Sequence, residues 1–111
     1  MKQLTYILCL LLFQTTFAQV TIVVEQVPKE TPENASIFIS GDFEGWSGGQ
    51  KAYQLELQDG RYTITLPQNE GTINFKFTQG TWSSVECDKK GFAIENRSYT
   101  FGSKPDTLKL K

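Results

Sequence analysis

Hydrophobic and polar residues alternate with a period of two along several short stretches of this chain. The clearest stretch is residues 73–78, I-N-F-K-F-T, in which Ile73, Phe75 and Phe77 share one face and Lys76 lies on the other. This alternation is typical of a strand that is buried on one face only. It predicts a strand whose core face carries two phenylalanines and whose outer face carries Lys76.

Further alternating stretches, separated by turn residues, extend this prediction along the chain. Asp59-Gly60 predicts a tight hairpin turn, and Pro28 and Pro67 end two of the strands. Residues 19–111 show no helical period. The pattern predicts an all-β fold, an immunoglobulin-like antiparallel β-sandwich of seven to eight short strands. The other predicted strands are residues 19–27, 35–40, 53–57, 61–66, 85–88, 98–101 and 107–110.

The first 18 residues differ from the rest. A basic start at Lys2 precedes a leucine-rich apolar run over residues 4–17, and Ala18 ends a small-residue cleavage sequence. These features predict a secretory signal peptide over residues 1–18 and one domain over residues 19–111. The apolar run is too short for a transmembrane helix. We therefore predict a secreted or periplasmic protein with no membrane contact after cleavage.

Composition excludes several functional classes. The chain has no histidine, which excludes histidine-based catalytic triads, and its two cysteines cannot build a zinc cluster. Cys9 lies in the predicted signal peptide, so Cys87 is expected to be a free, half-buried thiol, with an intermolecular disulfide as the alternative. The formal net charge of −1 offers no basic surface for nucleic acid. No phosphate-binding loop or dinucleotide motif is present, and we predict no cofactor and no metal.

Two carboxylate pairs are candidates for acid–base catalysis. Asp42 and Glu44 are two residues apart, as are Glu86 and Asp88. Glycosidases use paired carboxylates, but a sandwich of this size offers no deep pocket for a substrate. We interpret all four as solvated surface charges and predict that the protein is not an enzyme. A calcium site that joins Asp42 to carbonyl groups of the glycine-rich loop is the minor alternative.

The two tryptophans lie in glycine-rich segments. Trp46 ends the sequence G-D-F-E-G-W, and Trp82 follows Gly80-Thr81. Burial is the default for a tryptophan, whereas these loops have no core of their own, so the residues alone leave both options open. If both rings are exposed, we expect one aromatic surface with Lys76 between them. An indole can cover the apolar face of a pyranose, while an ammonium and an amide group bind its hydroxyls.

These motifs occur in the order G-D-F-E-G-W, a D-G hairpin, F-K-F-x-x-G-x-W and N-R-S-Y-T. In this order they resemble carbohydrate-binding module family 20 and its relative family 48, which includes the glycogen-binding domain of the AMP-activated kinase β subunit. The resemblance covers about residues 20–110. It implies an immunoglobulin-like β-sandwich that binds α-1,4-glucan without catalysis. It also implies stacking by Trp46 and Trp82 and hydrogen bonding by Lys76 and Asn96.

The sequence departs from the family pattern at several positions. Family 20 places its second tryptophan in a V-x-W-E sequence, where this chain has Cys87, so Trp82 must supply the second ring. Phe38 replaces a tyrosine of a second sugar site, and we therefore predict one site. An insertion at residues 89–95 lengthens a loop near the site. The expected partners are an α-glucan and a glucan-active enzyme, and the alternative is a protein–protein interaction or structural module that has lost sugar binding.

Overall fold

The computed structural model describes residues 18–67, 71–88 and 90–110. In these ranges it has seven strands, and the only helical elements are three short 3-10 turns. The strands are β1 Val20–Val24, β2 Phe38–Gly41, β3 Glu56–Gln58, β4 Arg61–Leu66, β5 Thr72–Thr78, β6 Arg97–Thr100 and β7 Asp106–Leu110. The predicted all-β sandwich is thereby confirmed. The predicted signal peptide, apart from Ala18, lies outside the described residues.

The strands form a four-stranded sheet in the order β3-β4-β1-β7 and a three-stranded sheet in the order β2-β5-β6. Every pairing is antiparallel except that of β1 with β7, which is parallel and places Val24 opposite Leu110. The prediction of an antiparallel sandwich missed this pair. Alternation within a strand shows which face is buried, but it carries no information about the direction of the neighbouring strand.

The hydrophobic core lies between the two sheets. Ile22 is fully buried at the centre of the four-stranded sheet, where it pairs with Ile64 on one side and Leu108 on the other. From the three-stranded sheet, Phe75 is also fully buried and packs edge-on against Phe77, with ring centroids 5.7 Å apart. The alternation in β5 therefore has the predicted orientation, since Ile73, Phe75 and Phe77 are all buried.

The hairpin between β3 and β4 turns at Asp59-Gly60, as predicted. Both residues have positive φ, at 52° and 79°. This is the geometry of a two-residue type I′ turn, which suits the twist of the flanking strands. Glycine at the second position adopts it without a steric penalty.

The predicted strand at residues 85–88 is wrong. Its hydrogen bonds go elsewhere, because the Glu86 N–H donates to the Phe77 carbonyl at 2.9 Å and a single bridge joins Cys87 to Ala93. Asp88 then closes a turn, in which its carboxylate accepts from the Phe92 N–H at 2.9 Å. Cys87 is exposed rather than half-buried, because the segment runs along the surface instead of into a sheet.

The outer face of the three-stranded sheet positions the site. Ser40 of β2 pairs with Lys76 of β5, so both point away from the core side on which Phe75 lies. Directly after β2, the chain forms a loop over residues 42–50, here called the Trp46 loop. Directly after β5, it forms a second loop over residues 79–84, here called the Trp82 loop. Because β2 and β5 are antiparallel, the two loops leave the sheet at opposite ends of this strand pair. They can meet only by folding back across the outer face of the sheet.

In the described ranges, we find no helical segment with the length and apolar character needed to cross a membrane.

Candidate functional site

The two tryptophan rings contact each other although they are 36 residues apart in sequence. Their ring centroids are 6.1 Å apart and their planes are tilted by 38°. The Trp82 indole N–H donates a hydrogen bond to the Trp46 carbonyl at 3.1 Å. Trp82 is 39% exposed and Trp46 is half-buried. The two rings, here called the tryptophan pair, therefore form one surface feature.

Lys76 does not lie between the rings. Ring centroids 6.1 Å apart leave no room for a side chain between the two indoles. The expectation of an interposed lysine is therefore wrong. It assumed that the loops hold the rings apart, whereas the two loops pack directly against each other.

Trp46 has a strained backbone. Its φ is 54°, in the left-handed region that bulky residues rarely adopt, and the preceding Gly45 has φ 74°. The Trp46 N–H donates to the Gly41 carbonyl at 2.9 Å, which closes the turn back onto β2. Such a conformation costs on the order of 1–3 kcal/mol and persists only where surrounding contacts enforce it.

The Glu44 carboxylate is the centre of the Trp46 loop. It accepts hydrogen bonds from the Ser40 hydroxyl at 2.5 Å, the Gly41 N–H at 2.9 Å and the Ser47 N–H at 3.0 Å. It also accepts from the Ser47 hydroxyl. Partial burial raises the pKa of Glu44, but the hydrogen bonds from Ser40, Ser47 and Gly41 together hold it below its ordinary value. The site is thus built around an ionised carboxylate.

Two buried polar residues connect the loops through the sheet. The Ser40 hydroxyl, which donates to Glu44, accepts from the Gly48 N–H at 2.9 Å. The Thr78 hydroxyl donates to the Gly48 carbonyl at 2.5 Å and accepts from the Gly80 N–H at 3.0 Å. Ser40 is 0% exposed and Thr78 is 2% exposed, and a buried hydroxyl is stable only when it is hydrogen-bonded. This network fixes the Trp46 loop relative to the Trp82 loop.

Sequence reasoning missed Ser40, Thr78 and the role of Glu44. A small hydroxyl residue at the end of each strand, next to a glycine-rich loop, was the only available signal. Side-chain hydrogen bonds of this kind depend on which loops meet, and that is not a local property of the sequence.

The Trp82 loop is closed by its own hydroxyl groups. Trp82 begins a 3-10 turn that ends at Ser84. The Ser84 hydroxyl donates to the Thr81 carbonyl at 2.7 Å and accepts from the Gln79 N–H at 2.9 Å. These bonds satisfy backbone groups that the short turn leaves free and fix the direction of the indole.

Glycines allow the close approach of the two loops. A Cβ atom on Gly48 would lie 2.8 Å from the Trp82 indole, and one on Gly49 would lie 2.4 Å from the Gly80 carbonyl oxygen. The first contact is with a side chain, whereas the second is with backbone that cannot rotate away. Only glycine at position 49 therefore permits this loop packing.

We expect Gly49→Ala to separate the two loops and to reduce the contact between the indoles. Near-ultraviolet circular dichroism of the aromatic residues is the measurement. Gly102→Ala is the matched control, because a Cβ atom there has no neighbour within 4 Å. An unchanged aromatic spectrum for Gly49→Ala would contradict the loop packing described here.

Lys76 lies on the outer face of β5, between Thr78 and Asn74 along the strand and opposite Ser40 across the sheet. It is half-buried. Among the residues that the structure describes, none forms a hydrogen bond or an ion pair with its ammonium group. Its donors are thus available to a ligand on this face.

Asn96 directly precedes β6 and is exposed. The last pair of the β5–β6 ladder joins Phe75 to Arg97. Asn96 therefore lies one residue beyond the paired part of the sheet. The structure therefore brings the two predicted tryptophans together through direct contact, whereas Asn96 lies just outside the β5–β6 ladder.

The interpretation of the paired carboxylates as solvated surface charges is incomplete, because all four accept hydrogen bonds, although Asp42 and Asp88 are also exposed. Glu44 organises the Trp46 loop, and Asp42 accepts hydrogen bonds from the Asn74 N–H and side-chain amide, both at 3.1 Å. Glu86 accepts from the Phe77 N–H at 3.1 Å and forms an ion pair with Arg97 at 2.9 Å. Each carboxylate has a structural partner, because loop backbone near a sheet edge needs acceptors.

The described ranges contain no cluster of three or more histidine, cysteine or carboxylate side chains that could hold a metal ion. The calcium alternative at Asp42 is therefore not supported by a cluster of acidic ligands in these ranges. The Asp42 carboxylate instead binds Asn74.

Comparison with known proteins gives two related sequences. No family model matches the chain. An alpha-amylase of Niallia circulans is 37% identical over 86 residues, which are 76% of this chain and 7% of the amylase. An amylopullulanase of Thermoanaerobacter thermohydrosulfuricus is 36% identical over 76 residues, which are 67% of this chain and 5% of that protein. The chain is thus similar to a short segment of each of two amylolytic enzymes, which is consistent with a starch-related domain separate from the remainder of those enzymes.

Proposed function

We propose that residues 19–111 form a non-catalytic module that binds α-1,4-glucan, in the manner of carbohydrate-binding module families 20 and 48. The single observation that carries this proposal is the tryptophan pair, with its two partly exposed indoles 6.1 Å apart on one surface. Residues 1–18 would act as a secretory signal peptide, so that the module works outside the cytoplasm. Its partners would be starch, glycogen or a maltooligosaccharide, together with a glucan-active enzyme.

The geometry of the tryptophan pair suits a curved sugar chain. Two indole planes at 38° present faces that are neither parallel nor in one row. Consecutive glucose units of an α-glucan change direction along the helix, so each unit can lie against a different ring. A flat chain such as cellulose would need coplanar rings. Stacking of the apolar sugar face on an indole needs no polar partner.

Polar groups beside the rings would bind the sugar hydroxyls. The Trp82 indole N–H is already bonded to the Trp46 carbonyl, so it contributes no donor. Lys76 lies on the outer face of β5, Asn96 directly precedes the neighbouring strand β6, and the Lys76 ammonium has three donors. We assign the hydrogen bonds with the glucan to these two residues.

The two related enzymes support the substrate class. Their names denote an alpha-amylase and an amylopullulanase, both amylolytic proteins. The matched segment is a small fraction of each, which supports a binding role next to catalytic parts that lie elsewhere in those enzymes.

Calorimetric titration with β-cyclodextrin, a closed mimic of a starch turn, tests the proposal. A single shallow site with two rings is expected to bind with a Kd of about 10 μM to 1 mM. Cellohexaose is the control ligand, since it has the same sugar in a flat chain, and it should give no heat. No heat and no chemical-shift change with millimolar β-cyclodextrin would overturn the proposal and direct the search to a protein partner.

Replacement of Lys76 by methionine should weaken β-cyclodextrin binding by about three- to tenfold. Methionine keeps most of the aliphatic stem but removes the ammonium donors, and one hydrogen bond at a partly exposed site contributes about 0.7–1.4 kcal/mol. Lys109→Met on β7, in the other sheet, is the matched control and should bind as the parent does. Equal affinities for the parent, Lys76→Met and Lys109→Met would show that Lys76 does not bind the sugar.

A further inference from the structure

We propose that Glu44 is the positioning residue of the tryptophan pair, and that its ionised carboxylate holds Trp46 in the backbone conformation that brings the two indoles together. Its effect on glucan affinity rests on the function proposed above. Its effect on the geometry of the rings does not.

The carboxylate bonds to both sides of Trp46. Before Trp46 it accepts from the Ser40 hydroxyl at 2.5 Å and the Gly41 N–H at 2.9 Å. After Trp46 it accepts from the Ser47 N–H at 3.0 Å and the Ser47 hydroxyl. Glu44 therefore joins the end of β2 to the residue that follows Trp46, and these bonds fix the path of the chain through Trp46.

The hydrogen bonds of Glu44 stabilise an unfavourable backbone conformation at Trp46. Trp46 has φ 54°, where a bulky side chain costs free energy. Without Glu44, the loop retains the bonds from the Trp46 N–H to the Gly41 carbonyl and from the Gly48 N–H to the Ser40 hydroxyl, but Ser47 loses both of its bonds to the carboxylate. The loop can then relax to an ordinary backbone conformation, which turns the Trp46 carbonyl away from the Trp82 indole N–H.

Glu44 is one of few titratable groups around this loop. Asp42 shares its 3-10 turn but directs its carboxylate to Asn74. Neither β2 nor the Trp82 loop contains a titratable residue, and β5 contributes only Lys76. Lys51 follows the Trp46 loop and is exposed. Glu86, which follows the Trp82 loop, binds the Phe77 N–H and Arg97, so Glu44 is the carboxylate whose hydrogen bonds lie on both sides of Trp46.

The sign of the pH dependence follows from the hydrogen bonds. They favour the charged form of Glu44 and lower its pKa in the folded protein. A lowered pKa means that the contribution is fully present above the ordinary glutamate value of about 4.3 and is lost as the pH falls through the lowered value. The tryptophan pair should thus be intact at neutral pH and should separate in acid.

The test measures the rings and the ligand separately. Two indoles at 6.1 Å produce an exciton couplet in far-ultraviolet circular dichroism, which reports ring geometry without any sugar. We expect the parent to lose this couplet in acid. Glu44→Gln should have a weakened couplet that no longer depends on pH, and about tenfold weaker β-cyclodextrin binding at neutral pH. Asp42→Asn is the matched control, since it removes a carboxylate of the same turn and should keep the acid transition.

Ser47→Ala is the second variant, for the case that Glu44→Gln does not fold. It removes one donor to the carboxylate, so the acid loss of the couplet should move to higher pH. The proposal is overturned if Glu44→Gln keeps the parental couplet, or if the acid transition is the same in the parent, Glu44→Gln and Ser47→Ala. A couplet that behaves as expected in a parent that binds no β-cyclodextrin would support the positioning role and refute the glucan function instead.

Discussion

Replacement of Trp46 or Trp82 by alanine should weaken β-cyclodextrin binding by about 30-fold or more. Aromatic residues at the centre of a binding surface typically contribute about 2 kcal/mol or more, and each 1.4 kcal/mol is about a factor of ten in Kd. The two rings contact each other, so the loss of either also removes the partner that orients the remaining ring. Isothermal titration calorimetry of both variants is the measurement.

Phenylalanine variants separate stacking from orientation. Trp82→Phe keeps a flat ring but removes the indole N–H that bonds to the Trp46 carbonyl. Trp46→Phe keeps a ring at the other position and leaves that carbonyl acceptor in place. If stacking dominates, both phenylalanine variants should bind better than the alanine variants. If the N–H bond also matters, Trp82→Phe should bind more weakly than Trp46→Phe.

Unequal results for the alanine variants would be informative. Loss of binding in Trp46→Ala with parental affinity in Trp82→Ala would show that Trp82 is not the second stacking ring. Parental affinity in both, with intact folding, would mean that any glucan binds elsewhere. Thermal unfolding of each variant is the control for the fold.

Replacement of Phe75 by alanine should destabilise the domain by about 3–5 kcal/mol. Phe75 is fully buried at the centre of the core and packs edge-on against Phe77. Removal of the ring leaves a cavity. β5 is the central strand of its sheet and is paired on both sides, so it cannot move to close this cavity. Small domains have a free energy of unfolding of about 5–15 kcal/mol, so this one change removes a large part of the total.

The urea midpoint of unfolding is the measurement for Phe75. Phe92→Ala is the matched control, because it removes the same ring from a side chain that is 66% exposed, and its effect should be within about 0.5 kcal/mol. Phe75→Leu gives a smaller and more readily measured loss if the alanine variant does not fold. Equal midpoints for Phe75→Ala and Phe92→Ala would mean that the core is not centred on β5.

Strand prediction succeeded where burial follows from local alternation. In β5, alternate residues Ile73, Phe75 and Phe77 face the core, and the β1 and β4 runs behave in the same way. The hairpin at Asp59-Gly60 was also predicted correctly, because these residue types favour the positive φ values of the turn. The segment at residues 85–88 failed because its backbone groups bond to the end of β5 and to side chains, and no local pattern shows that choice.

The candidate site was predicted in its parts but not in its arrangement. The glycine context of Trp46 and Trp82 left exposure of the rings open, and the outward position of Lys76 followed from the strand period. That the rings contact each other, with no room for Lys76 between them, depends on the approach of Gly49 to Gly80. This approach exists only once β2 and β5 are paired.

The sequence by itself determined most of the strand pattern, the hairpin, the residue types of the candidate site and the absence of histidine. The tertiary structure decided the parallel pairing of β1 with β7, the contact between the indoles and the role of Glu44. The physical reason is the range of the interactions. Alternation and turn geometry are set by neighbouring residues, whereas loop packing and the hydrogen bonds of a shared carboxylate are set by strands that are distant in sequence and meet only in the folded sheet.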